Sequence, residues 1–325
     1  MRHKLFKLPA LVGLVAAFAA SSPQAQEAPW PQHAVKVVVP YSPGGSADTL
    51  GRLVALGLSE AFKQPFVIEN RGGAGGVIGS QQVAKAAPDG YTLVVSGVGS
   101  HVIAPAENPK AMDPIKEFTH IAMLGGPPIA LAINADLPIT DVKGFIAYAQ
   151  SKPGGVSWGS PGKGTHGYLI GEVFELATKT NMVHVGYKGA APAMADLLAG
   201  HIPASFTTLS TAGPHIQSGR LRALAISSSQ RLRQYPEVPT FAELGYPRLT
   251  ALTWFSLSGP AGMPPDLVSR INLEVRKVMH SPAVLEQLEK GAMETFDWDV
   301  ARFNQYFIDE IKRWSPLVKD VKGKD

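Results

Sequence analysis

The chain has no cysteine. This excludes thiol nucleophiles, cysteine-ligated metals and disulfide staples, so the fold must be held by its hydrophobic core. The nine histidines form no H-E-x-x-H or comparable spacing, and the carboxylates do not cluster, so no metal site is expected. Excess charge of one sign is also missing. Arg2, Lys4 and Lys7 lie at the extreme N-terminus, and without them 27 basic residues face 26 acidic ones. A nucleic-acid partner, which needs a basic face, is therefore not expected. Only one run is long and apolar, from Leu8 to Ala20, and it falls short of the roughly 20 residues that span a bilayer. With a basic flank before it and the small, polar stretch Ser21 to Gln26 after it, the run reads as a secretory signal peptide over 1–25, cleaved near Ala25. The mature protein is expected to be exported and soluble.

The rest alternates short β-branched runs with amphipathic stretches, the pattern of an α/β protein. Strands are expected at 35–39, 66–68 and 91–96, with helices at 47–62 and 76–87 between them, giving a parallel sheet. A second series begins near Ile121. It places strands at 129–134, 156–158, 183–185, 203–206 and 221–227, and helices at 141–151, 165–178 and 191–199. The chain then returns through a strand at 252–257 and ends in helices at 266–280 and 300–319. These series imply two lobes, 29–127 with 251–325 and 128–250, joined by two chain crossings that can act as a hinge.

The most informative features are two similar junctions in which a strand runs through a Gly/Ser/Pro loop into a helix. One is Pro40-Tyr-Ser-Pro-Gly-Gly-Ser-Ala-Asp48; the other is Gly159-Ser-Pro-Gly-Lys-Gly-Thr-His166. Glycines let a ligand approach the main chain, and the free N–H groups of the following helix favour an anion. Ser42, Ser46, Ser160 and Thr165 add hydroxyls, Lys163 a cation and His166 an imidazole. One such end per lobe would grip a molecule carrying a carboxylate at each end. The competing reading is ordinary βα turns, with Ser46 and Thr165 as N-caps. Asp48 would repel an anion and is expected to stabilise its own helix start.

Three enzyme-like motifs are weaker. Gly155-Val-Ser-Trp-Gly159 fits G-x-S-x-G, but Ser157 falls inside a strand rather than at a strand–helix elbow. Gly73-Ala-Gly-Gly-Val-Ile-Gly79 has the wrong glycine spacing for a dinucleotide loop and is read as close packing at a helix start. The run Gly162-Lys-Gly164 lacks the Ser/Thr that follows lysine in a phosphate loop. No cofactor is expected.

Together the motifs resemble the Bug-type extracytoplasmic solute-binding proteins of tripartite tricarboxylate transporters. The resemblance is carried by Val37 to Asp48, Val67 to Gly76 and Pro88 to Leu93. It continues through Gly186 to Gly189, Pro192 to Leu198 and Gly219 to Ala225. It implies a two-lobed periplasmic-binding-protein fold of type II and a carboxylate held in the interlobe cleft for delivery to membrane permease subunits. By matching position, Tyr41, Ser42, Gly44, Gly45, Ser96 and Ser100 would contribute from one lobe. Ser160, Gly164, Thr165, His166, Tyr187 and Thr207 would contribute from the other. Thr207 stands where many relatives carry aspartate, which points away from amino-acid ligands, and His101 departs from the expected small or hydroxyl residue. A di- or tricarboxylate and an aromatic carboxylate all fit. The default oligomeric state is a monomer. A secreted hydrolase using Ser157, or a receptor feeding a signalling system, are the alternatives.

Overall fold

The computed structural model describes residues 30–322; the leader expected over 1–25 lies outside the described residues. Among the described residues ten strands form: β1 (Val35–Val39), β2 (Phe66–Asn70), β3 (Thr92–Gly97), β4 (Phe118–Gly125), β5 (Ile129–Asn134), β6 (Val156–Ser160), β7 (Met182–Gly186), β8 (Ala204–Thr208), β9 (Leu221–Ile226) and β10 (Phe255–Pro260). They make two five-stranded sheets, ordered β2-β1-β3-β10-β4 and β7-β6-β8-β5-β9. The fold is the expected two-lobed α/β architecture.

Helices connect and cover the sheets: α1 (Ser46–Phe62), α2 (Val77–Ala84), α3 (Ala104–Glu107), α4 (Val142–Gln150), α5 (His166–Thr178), α6 (Ala190–Leu198), α7 (Leu209–Gln217), α8 (Pro265–Met279), α9 (Pro282–Lys290) and α10 (Val300–Lys322). In α1 the apolar positions Leu50, Val54 and Leu58 recur at helical spacing and are fully buried against the sheet. Lys63, in the left-handed conformation at φ 57°, ends the helix.

Strand β1 pairs in parallel with β2 and β3, as the βαβαβ order predicts. Strand β10 runs antiparallel to β3 and β4, and β5 runs antiparallel to β8 and β9. The reason is connectivity. β5 and β10 each arrive from the opposite lobe, so each enters its sheet at the cleft end, where β3 and β8 finish. The strand expected over 252–257 begins at Phe255, because Ala251–Trp254 form the returning crossing.

The two crossings lie side by side, with Thr253 N–H donating to Pro127 O at 2.9 Å. One hydrophobic core continues beneath them. Val102, Ile103 and Met123 pack in the same cluster as Leu131, Phe174 and Phe206. Helix α10 closes it with Phe303, Phe307 and Trp314, and its last turns reach the second lobe, where Asp320 pairs with Arg248 at 3.0 Å.

Candidate functional site

Parallel strands end on one side of each sheet, and the helices that follow start there. In this chain the two such sides face each other. The first loop leaves β1 at Val39 and enters α1 with Gly45 as N-cap. Gly44 takes φ +86°, and its N–H donates to Asp48 Oδ2 at 3.1 Å. Asp48 also accepts from Asn70 and Arg52, at 2.8 and 3.0 Å. Burial alone would raise its pKa, but these bonds overcome burial and hold the carboxyl below the usual range. Asp48 thus fastens its own loop.

The second loop leaves β6 and is capped by Thr165, whose hydroxyl accepts from Tyr168 N–H and donates to Gly162 O at 2.7 Å. Ser46 does something different. It makes no cap bond; its hydroxyl crosses the cleft, donating to Thr208 Oγ1 at 2.7 Å and lying 2.6 Å from Ser210 Oγ. Ser42 also crosses, its hydroxyl donating to Lys188 O at 2.8 Å. The glycine-rich segment before α2 packs against the second loop so closely that a Cβ on Gly75 would lie 2.6 Å from Lys163 O. Close approach, with positive φ at Gly73, Gly75 and Gly76, explains these glycines without a nucleotide.

Between the lobes remains a cavity of about 50 Å³, lined by Tyr41, Gly45, Ser46, Ala47, Gly99, Ile129, Pro161, Thr165, His166, Gly167, Ala190, Thr208, Thr253 and Phe255. Ala47, Gly167, Ala190 and Thr208 mark the starts of α1, α5, α6 and α7, so four helix N-termini converge on one space. The first N–H groups of each helix lack intrahelical partners, and the dipole makes that end positive. No lining residue carries a carboxylate, lysine or guanidinium. The arrangement suits an anion bound by main-chain N–H groups and hydroxyls. A space this size holds only a few waters, and it lies well below the roughly 300–1,000 Å³ of ordinary ligand pockets. The lobes are therefore drawn together, and both loops border one space.

The sequence-predicted residues divide by placement. Tyr41, Gly45, Thr165 and His166 line the cavity. Burial pushes the Tyr41 phenol up to about 12, against hydrogen bonding from Ser100, and its O–H donates to Gly75 O at 3.2 Å. Gly44 and Ser42 hold the rim. Gly164 packs against Ala104, which a Cβ would approach to 3.0 Å. Ser100 bonds His101 Nδ1 at 3.0 Å in the helical turn 99–103.

Three others use their side chains elsewhere, and Thr207 keeps a buried hydroxyl with no partner among the described residues. Ser96 lies within hydrogen-bond distance of Ser256 and Ser258, at 2.7 and 2.6 Å, inside the first sheet's core. Ser160 bonds His184 Nε2 at 2.7 Å and accepts from Gly162 N–H. Tyr187 O–H donates to Asp196 Oδ2 at 2.6 Å, toward α6. Thr207 pairs with Ala130 and Thr208 with Ile129. Because successive strand residues face opposite sides, Thr208 takes the cavity and Thr207 takes the opposite face. Sequence reasoning missed Thr208, Thr253, Ala190 and Phe255. Strand parity around Thr207 was the one available signal.

Ser157 lies near the start of β6, at the pole away from the cleft. The depression there is lined by Asn134, Asp136, Tyr148 and Lys152 among others, and no histidine lines it. The G-x-S-x-G match therefore has no imidazole base within its depression.

The family model described as "Tripartite tricarboxylate transporter family receptor" matches residues 50–322. Protein BugT of Bordetella pertussis is 33% identical over 323 residues, covering 98% of each chain. Among solved structures, R. palustris Rpa4515 with adipate is 32% identical, with TM-score 0.86 over 90% of this chain and 99% of that one. MatC from Rhodopseudomonas palustris with bound malate is 31% identical, with TM-score 0.85 over 89% of this chain and all of that one.

Proposed function

The chain belongs to the tripartite tricarboxylate transporter receptor family, and from that premise we propose that it captures a small carboxylate in the interlobe cleft. It then presents the loaded, closed form to membrane permease subunits from the periplasm. The observation that carries this reading is the convergence of four helix N-termini, from both lobes, on one cavity with no acidic lining residue. Anions are favoured at such ends. That relatives were solved with adipate and with malate supports a carboxylate in particular.

In this reading the lobes are 29–127 with 251–325 and 128–250, and the protein works as a monomer. The carboxylate is held at the starts of α1 and α5 by Tyr41, Gly45 and Thr165, with His166 beside them and with Thr208 and Ala190 completing the far wall. Ser42 and Ser46 act by closing the cleft. The protein is a receptor that performs no chemistry on its ligand.

A thermal-shift screen of the mature protein against aliphatic and aromatic carboxylates, amino acids and sugars tests this. A ligand at about 100 times its dissociation constant adds about 2.7 kcal/mol of stability. A carboxylate group that raises the melting temperature, with sugars and amino acids silent, is the expected result. A shift from a non-acidic solute alone would refute the anion site.

A further inference from the structure

The cleft contains one side chain whose polar capacity the fold leaves half used. His166 is the first residue of α5 and is 1% exposed. Its Nδ1 lies 3.0 Å from Thr253 Oγ1, and its ring meets Trp314 of α10 edge-on, with centroids 4.7 Å apart. Thr253 is itself tied to the other crossing through Pro127. The ring is thus fixed from the hinge on one side and from α10 on the other. Its Nε2 is buried and has no hydrogen-bond partner among the described residues. Both His166 and Thr253 line the cavity. With Nδ1 taken, Nε2 is the polar atom this side chain has left for a ligand. A buried polar atom without a partner is costly, and a ligand that supplies the partner recovers that cost on binding.

The surroundings limit what that partner can be. Burial, and secondarily the nearby Arg313, hold the imidazole down to about 3, so it meets the ligand as a neutral ring. A second carboxylate at this end would find no cation among the lining residues to compensate its desolvation. An ammonium would find no carboxylate there. A bare hydrocarbon would leave Nε2 unpaired. A hydroxyl satisfies either tautomer, because it donates to an unprotonated Nε2 and accepts from a protonated one.

We propose that His166 is the specificity-determining residue of the cleft, its Nε2 hydrogen-bonding a hydroxyl that the ligand carries in addition to its carboxylate. The ligand class is then a hydroxycarboxylic acid. This rests on the carboxylate reading above and narrows it.

The test is calorimetric titration of the mature protein with acids matched except for one hydroxyl: propionate and lactate, butyrate and 3-hydroxybutyrate, succinate and malate, phenylacetate and mandelate. In the pair that fits the cavity, the hydroxy acid binds about tenfold or more tightly than its partner. His166→Phe keeps the ring packing on Trp314 and removes that gap, leaving the unhydroxylated acid within about threefold of wild type. His166→Gln, whose amide can donate and accept, retains part of the gap. If His166→Phe fails to fold by circular dichroism, Thr253→Val serves: it preserves shape, frees the ring and narrows the gap. Equal affinities within every pair that binds, or a gap that survives both His166→Phe and Thr253→Val, overturn the proposal while leaving the carboxylate reading intact. Failure of every acid to bind overturns both.

Discussion

Trp254, on the returning crossing, and Glu310, in the middle of α10, are joined by an indole N–H donated to Oε2 at 2.8 Å. Trp314 donates to the same oxygen at 2.7 Å. Both indoles are fully buried and Glu310 is 4% exposed. Arg313 donates to the other carboxyl oxygen at 3.3 Å and to Thr250 O at 2.6 Å. One acidic side chain thereby fastens the long C-terminal helix to the hinge. Glu310→Ala strands two buried indole donors at once and is expected to cost about 3 kcal/mol. Glu310→Gln keeps an acceptor oxygen and should recover part of that. Urea unfolding midpoints measure both, and equal stability of the two variants would show that the acceptor is not the anchor.

How much of this could be read from the sequence depended on how local the cause was. Val35 to Val39 and the periodicity of α1 are determined by neighbours in the chain, and both elements formed within a residue or so of expectation. The direction of β10 was not readable, because it follows from the lobe the chain returns from. Helix α7 went unread because Gly213 and Pro214 lower its propensity; packing overrides them, with Gly213 approached so closely by the Tyr235 hydroxyl that a Cβ there would collide with it. In the site, the two loops were legible from their glycines and hydroxyls. The exchange of Thr207 for Thr208 was not, since a one-residue change of register reverses every face of a strand. Thr253 enters the cavity from the returning crossing and Phe255 from the start of β10, both distant in sequence from either loop, so no local pattern could announce them. Ser46 was expected to meet a ligand or cap a helix; it lines the cavity without capping α1, and its hydroxyl bonds the opposite lobe.

Gly75 offers a way to separate closure from folding. It has φ +64°, and a Cβ there would lie 2.6 Å from Lys163 O and 3.1 Å from the Gly164 backbone, both in the opposite lobe. Gly75→Ala therefore obstructs the closed arrangement while disturbing its own lobe only by the left-handed conformation, a cost of about 1–2 kcal/mol. Ligand affinity is expected to fall by about tenfold or more, because the obstruction is felt only when the lobes meet. Gly154→Ala, where an added Cβ meets nothing within 4 Å, is the matched control and should leave affinity unchanged. Titration with any acid identified in the screen decides the matter. Equal affinities for the two variants would mean that binding does not require this contact.

Acid should destabilise the protein through its buried histidines before its carboxylates respond. Burial depresses His120 to about 4 and His166 to about 3, and pushes His101 well below its usual value, with His120 adding to the last. His184, less deeply enclosed, is lowered to about 4 by burial and by Lys163. An unfolded histidine titrates near 6.5. Above that pH the imidazoles are neutral in both states and their burial carries no proton penalty. As the pH falls below it, the unfolded chain takes up protons that the native chain refuses, so stability drops until the folded values are reached. Each fully buried imidazole contributes a loss of about 1.4 kcal/mol per pH unit within that window. Asp48 and Glu69, whose folded pKa values are lowered, lose their contribution only at still lower pH. Urea unfolding at pH 7.5, 6.5, 5.5 and 4.5 should show little change over the first step and a steep fall over the last two. A stability that stays level down to pH 4.5 would mean that these histidines accept protons in the native state, and that the core around His101 and His120 admits charge.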